Sequence, residues 1–172
     1  MRLSKAAQAG LGLALLVVTG PAVSGAATPP PGPTASINFV KDFHSPADDL
    51  QFLDAVRDEV CSKGRRGSRR LGTQNNVTNS RKPIIVPAGQ RIFLRSTGTY
   101  TAYGPDLILY QERRQHRCFN ITSFVPEPGH TYTLSQRNQV TSCEVKLRDN
   151  ATGKAPETML RHEVTDACRY NG

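Results

Sequence analysis

The chain has 172 residues, 22 Lys and Arg against 14 Asp and Glu, a formal charge of +8 and a sequence isoelectric point near 9.7. That length suits one ordinary domain with a real core. With no Trp and 6% aromatic residues, no sugar-stacking platform is obvious, and the basic balance directs attention to anionic partners.

The first residues read as an export signal. "MRLSK" is short and basic, "AAQAGLGLALLVVTG" is apolar, and "PAVSGAAT" supplies small residues at signal-peptidase spacing. The apolar run is shorter than the roughly 20 residues that cross a bilayer as a helix, and Gly20-Pro21 ends it. Residues 1–27 are therefore expected to be a secretory signal peptide, cleaved after Ala26 or Ala27, with no transmembrane span in the mature chain. No cysteine lies near that point, which argues against a lipid-anchored lipoprotein. Removal takes Arg2 and Lys5 and no acid, so the charge becomes 8 − 2 = +6. "TPPPGPTAS" over residues 28–36 is a stiff Pro/Gly-rich tether. Residues 37–172 are expected to form a single domain in a secreted or periplasmic protein.

Four cysteines follow, Cys61, Cys118, Cys143 and Cys168. An even count behind an export signal reads as two disulfides. No CxxC occurs, and no pair has zinc-ligand spacing, so no metal or other cofactor is implied.

"SPADDLQFLDAVRDEVC" predicts the one N-terminal α-helix. Ser45 is a suitable N-cap, Pro46 suits the first helical position, and Leu50, Leu53, Val56 and Val60 recur at helical spacing. The acids of "ADD" and "RDE" then fall on its solvated face. "SKGRRGSRRLGTQNNVTNSRK" has almost no apolar residue and predicts an exposed cationic loop.

From Pro83 the period changes to two. Strands are predicted at Ile84–Val86 and Gln90–Arg95, with a Thr/Tyr stretch "TGTYTAYG" of good β-propensity after them. "DLILYQE" reads as a strand and "ERRQHR" as a charged connection. "CFNITSFV", "HTYTL" and "SCEVKLR" predict an up-down-up meander, with "PEPG" as its first turn because proline cannot donate to a ladder. A meander brings Cys118 and Cys143 to one end, which favours that pairing and leaves Cys61 with Cys168. "ETMLRHEV" predicts a last strand. The expected fold is mainly β: a small antiparallel β-sandwich or open barrel of six to eight strands, with the helix and two disulfides.

The chemistry is sparse. "HEVTD" begins like a zinc helix, but Asp166 stands where the second histidine must be. Nucleophile-elbow, Walker-type and dinucleotide-binding glycine motifs are missing from the sequence. His130 sits at a hairpin mouth beside Tyr132, a structural position unless a second titratable group lies close. Three glycosylation sequons occur, at Asn76, Asn120 and Asn150, the second of them in a predicted strand.

These features predict an exported, non-catalytic binding protein. Its candidate contacts are Arg65, Arg66, Arg69 and Arg70 in the basic loop, Tyr100 and Tyr103 in the aromatic stretch, and His130. The expected partner is a protein or an anionic envelope polymer. Dedicated nucleic-acid binding is not expected, because no aromatic is interleaved among the arginines to stack a base. The alternatives are a secreted inhibitor of a hydrolase such as a protease or lysozyme, wedging in "VPEPGH" or the arginine loop, and a small secreted enzyme built on His162.

Overall fold

Alternation of apolar residues with period two governs most of the chain, and two sheets result. A computed structural model describes residues 32–42, 49–75, 82–103, 113–139 and 142–170. The expected signal peptide, most of the tether, the strand expected in "DLILYQE" and the Asn76 sequon lie outside the described residues. In chain order the strands are β1 (Thr34–Lys41), β2 (Leu50–Val56), β3 (Arg69–Gln74), β4 (Ile84–Pro87), β5 (Ile92–Tyr103), β6 (Arg113–Phe124), β7 (Thr131–Asn138), β8 (Cys143–Asp149) and β9 (Leu160–His162). A 3-10 turn covers Gly64–Gly67, and a short helix α1 covers Asp166–Tyr170.

One sheet has the order β4-β1-β7-β8 and the other β3-β2-β5-β6-β9. All pairings are antiparallel except β1 with β7, which run parallel from Ser36↔Thr131 to Lys41↔Gln136. β1 begins at Thr34, three residues before the expected start at Ile37. Both sheets feed one apolar core, with Ile37, Phe39, Tyr132, Leu134 and Leu147 from the first and Leu53, Leu94 and Phe124 from the second. Each such side chain stabilises the fold by roughly 1.5–3 kcal/mol on burial.

The second sheet is also covered on its other face. Phe93 and Leu94 are adjacent, so they point to opposite faces; Leu94 enters the main core and Phe93 a smaller cluster with Val56, Cys61, Ile121, Val164, Ala167 and Cys168. The Cys61–Cys168 disulfide fastens the C-terminal segment over this face. Cys61 itself takes a left-handed backbone, at φ 54°. The Cys118–Cys143 disulfide joins β6 of one sheet to β8 of the other. Both expected pairings are therefore present, but the second arises across the sheets rather than within a meander.

Several expectations are corrected. Of the predicted N-terminal helix, Leu50–Val56 is the strand β2, paired on one side with β5 at seven positions and on the other with β3, and residues 57–61 follow as bends and a turn. The helical spacing of Leu53 and Val56 fits a strand as well, because β2 is buried on both faces: Leu53 enters the main core and Val56 the outer cluster. Ladder hydrogen bonds on both sides outweigh a local preference for helix. Ser45 and Pro46, its expected N-cap and first helical residue, lie outside the described residues. The predicted cationic loop contains the 3-10 turn and β3. "ERRQHR", expected as a connection, is part of β6 from Arg113 onward, where it pairs with β5 from Tyr103 back through Thr99. "PEPG" does not close a hairpin: it carries the chain from β6 in one sheet to β7 in the other. The last strand is only three residues long and gives way to α1.

Candidate functional site

The expected contact residues separate into three places. The arginines lie on the β3 side. Arg65 and Arg66 belong to the 3-10 turn, and Arg69 and Arg70 open β3, the edge of the five-stranded sheet. Arg66 and Arg69 are exposed. Arg70 is held down: its Nε donates to Asp54 Oδ1, and its guanidinium lies 4.1 Å from the centre of the Phe52 ring. Asp54 also receives Arg95 Nη2 at 3.0 Å, and Arg95 Nη1 donates to the Cys168 carbonyl at 3.1 Å. One buried carboxylate thus links the basic edge to the disulfide-bound tail.

His130 lies at the crossing between the sheets, with an acid at each ring nitrogen. Its Nδ1 is 2.8 Å from Asp149 Oδ2 and its Nε2 is 3.4 Å from Glu127 Oε2. Those are the titratable neighbours that the sequence did not name. The hydrogen bond to Asp149 raises the His130 pKa above its ordinary value, and the Glu127 charge adds to it. Asp149 is lowered, first by the Ala151 amide and then by His130. The crossing is rigid as well: the Gly129 amide donates to the Thr34 carbonyl at 2.8 Å, the Gly89 amide to the Pro126 carbonyl at 2.8 Å, and the Glu127 amide to the Tyr132 hydroxyl at 2.8 Å. Gly129 has φ 77°, where a side chain is disfavoured.

Tyr100 lies at the opposite end. β8 runs from Cys143 beside Tyr100 to Asp149 beside His130, six residue steps or about 20 Å. Between the sheets at the Tyr100 end the interior is polar. Asp49, Gln51, Gln74, Gln136 and Asn138 are all fully buried there. Asp49 accepts from Gln51 Nε2 and Asn138 Nδ2, Gln51 Nε2 also donates to the Gln136 carbonyl at 2.9 Å, and Gln136 Nε2 donates to Asn138 Oδ1 at 2.7 Å. Gln74 Nε2 donates to the Phe39 carbonyl. Gly98 makes room for this cluster, since a Cβ at that position would sit 2.7 Å from Asn138 Cγ.

Beside the cluster the sheets open into a cleft of about 200 Å³, lined by Tyr100, His116, Arg117, Cys118, Gln139, Ser142 and Cys143. The Tyr100 and His116 rings stack with centres 5.2 Å apart. Tyr100 is 4% exposed, and its buried hydroxyl has no hydrogen-bond partner among the described residues. An unpaired buried hydroxyl costs on the order of 1–3 kcal/mol. Burial raises the Tyr100 pKa and the Asp49 charge raises it further, so the hydroxyl stays protonated and is a donor. Tyr103, the other aromatic expected here, is the last residue of β5.

The histidine, glutamate and aspartate of "HEVTD" do not assemble a centre. His162 Nε2 meets Ser123 Oγ at 2.7 Å, and Ser123 also accepts from Arg91 Nη1 at 2.9 Å, while Glu163 and Asp166 are exposed. Ser123 is fully buried, so this contact pins β9 to β6 rather than presenting a nucleophile. Among the described residues no group of three or more His, Cys, Asp and Glu is arranged to hold a metal ion. No described helix is long and apolar enough to cross a membrane. Asn120 donates to Cys143 Sγ at 2.9 Å between the sheets, whereas Asn150 lies in an exposed turn.

Sequence reasoning missed His116 and Arg117, which it placed in a connection, and the buried polar cluster, whose acids it placed in solvent. It also missed a second cationic surface, a groove of about 220 Å³ lined by Leu147, Ala155 and Met159 and by Lys146, Arg148 and Arg161. No protein-family model matches the chain, and neither a curated protein nor a solved structure matches it.

Proposed function

We propose that this chain is an exported, non-catalytic binding protein of the periplasm or extracellular space, built as a small β-sandwich. The reading is carried by the β3 edge. An edge strand offers ladder groups to a partner, and here it is introduced by Arg65 and Arg66 and opened by Arg69 and Arg70. The chemistry suits an acidic protein segment or an anionic envelope polymer. Two disulfides fit an oxidising compartment. The test is capture by cross-linking to envelope or medium with the mature, oxidised protein, at low salt and at about three times physiological salt. Capture that weakens with salt and disappears on replacing Arg66 and Arg69 by Gln supports the reading; capture indifferent to both changes removes it.

A second reading, a secreted inhibitor of a hydrolase, draws on the crossing at Pro126–His130. The backbone of this segment is tied at Pro126, Glu127 and Gly129, and the Glu127 side chain is 69% exposed at its tip. A loop held this way loses little entropy on docking. Tight one-to-one binding to a single protease or lysozyme, abolished by changes at Glu127 but not at Arg66 and Arg69, distinguishes this reading from the first.

A further inference from the structure

We propose that the groove between β8 and β9 docks a short acidic segment of a partner protein, seating one apolar side chain between flanking carboxylates. The inference goes beyond the β3 reading and uses none of its residues. β3 and β9 are opposite edges of the five-stranded sheet, so the groove lies on the other side of the sandwich. Three observations carry it. The first is position. Lys146, Leu147 and Arg148 are consecutive in β8, and all three line the groove. Side chains alternate between the faces of a strand, so three consecutive residues share one groove only where it follows the strand edge. β8 is an edge of the four-stranded sheet, and an edge is where an extended peptide docks.

The second is composition. Leu147 belongs to the main core and Met159 packs against it, so the bottom of the groove is apolar, and Ala155 completes it. The other lining residues, Lys146, Arg148 and Arg161, are all cations, the first two on β8 and the third on β9. Arg148 is exposed and has no ion-pair partner among the described residues. Glu144 meets Lys146 at 3.7 Å, but at the surface such a contact is weak. An apolar base with positive charge on both walls complements an apolar side chain with acid on both sides. The third is size. The β8 edge is already taken at both ends, because Arg161 Nη2 donates to the Val145 carbonyl at 3.0 Å and the Asp149 amide to the Lys154 carbonyl at 2.8 Å. A long added strand would displace both bonds, so the partner segment is short. At about 220 Å³ the groove lies below the 300–1,000 Å³ usual for drug-sized ligands, which suits one side chain rather than an acyl tail. The segment beside Met159 is also fixed, since Thr158 receives Arg91 Nη1 on its carbonyl and the Val125 amide on its Oγ1, both at 3.0 Å. The groove is therefore formed before the partner arrives, and docking costs little ordering.

The experiment titrates the isotope-labelled, oxidised protein with the capped peptide acetyl-Gly-Glu-Leu-Glu-Gly-amide and follows amide chemical shifts. Control peptides replace both Glu by Gln, or Leu by Ser, and decanoate stands for a free amphiphile. Saturable shifts centred on Lys146, Leu147, Arg148 and Arg161 are expected, with binding weakened about fivefold or more at about three times physiological salt. Each control peptide should bind more weakly. Arg148→Glu and Ala155→Glu, both at exposed positions, are each expected to weaken binding about tenfold at an unchanged melting temperature, because each sets a like charge against the peptide. The absence of saturable shifts, shifts centred on β3 instead, equal binding of either control peptide, tighter binding of decanoate in the groove, or undiminished binding in both variants overturns the proposal. Self-association that disappears in Arg148→Glu gives the groove to a second copy of the chain and overturns it as well.

Discussion

Asp54→Ala is the perturbation whose cost the structure specifies most closely. The Asp54 and Arg95 side chains are 4% and 3% exposed and meet at 3.0 Å, under the disulfide-bound tail. Deleting the carboxylate leaves the Arg95 guanidinium buried, with the Cys168 carbonyl as its remaining acceptor and its Nε already unpaired. Breaking one partner of such a pair costs about 3–5 kcal/mol. Small domains are stable by roughly 5–15 kcal/mol in all, so the variant should lose about a fifth or more of its stability. Arg70 is the control. It touches the same carboxylate but is 45% exposed, so Arg70→Ala should cost about 1 kcal/mol or less, including its contact with Phe52. The double replacement Asp54→Leu, Arg95→Met removes both charges and should recover most of the loss, because an apolar pair of similar volume has no desolvation cost to offset. Urea unfolding followed by far-UV circular dichroism measures all four proteins under one protocol. If Asp54→Ala costs no more than Arg70→Ala, Asp54 and Arg95 are solvated in solution and the tail does not cover them. If the double variant costs as much as Asp54→Ala, the pair itself is the stabilising element and the argument from desolvation is wrong.

Three further outcomes follow from the same geometry. The chain-entropy model assigns about 4.8 kcal/mol to the Cys61–Cys168 crosslink, which spans 107 residues, and about 3.5 kcal/mol to Cys118–Cys143, which spans 25; pairwise Cys→Ala variants compared by urea midpoint should rank in that order, and the reverse ranking would show that native contacts between the sheets outweigh loop closure. Gly98→Ala drives a methyl group into Asn138, which is itself anchored to Asp49, and should cost about 1–3 kcal/mol as an overpacked site; an unchanged melting temperature would show that the polar cluster yields. The His130–Asp149 pair should confer stability within a pH window. His130 is raised above its ordinary 6.5, so its contribution is complete below that value and is lost as pH rises through the folded pKa. Asp149 is lowered from its ordinary 3.8, so its contribution is present above that value and is lost as pH falls through the depressed one. His130→Gln should flatten the alkaline side of the profile of urea midpoint against pH, and an alkaline slope unchanged by that variant would remove the pair as its cause.

What the sequence disclosed, and what it concealed, divides along how many faces of a strand are buried. β7 and β8 alternate cleanly because one face meets the core and the other is wetter; "HTYTL" and "SCEVKLR" were legible for that reason. β2 and β6 are covered on both faces. In β6, Phe124 enters the main core and Ile121 the smaller outer cluster, so the pattern no longer alternates. In β2 the buried positions include Gln51 and Asp54 as well as Leu53, and Leu53 and Val56 face opposite clusters, so what is left to read is apolar residues at helical spacing. Fully buried polar side chains are the hardest signal, since nothing in "ADDLQFLD" distinguishes a solvated acid from one held by Gln51, Asn138 or Arg95. The two disulfides were legible by count and by elimination, yet Cys118–Cys143 was placed for a reason the structure replaces: the meander does not exist, and the cysteines meet because β6 and β8 lie across the sheets from one another. The cleft follows from the same fact. A bond between sheets at that end holds the layers at a fixed spacing where the interior has turned from leucine to glutamine, and a polar interior fixed at its mouth is able to keep an unpaired phenol without collapsing on it. Sequence shows Tyr100 as one aromatic in a Thr/Tyr run; only the pairing of two sheets places it at a cleft.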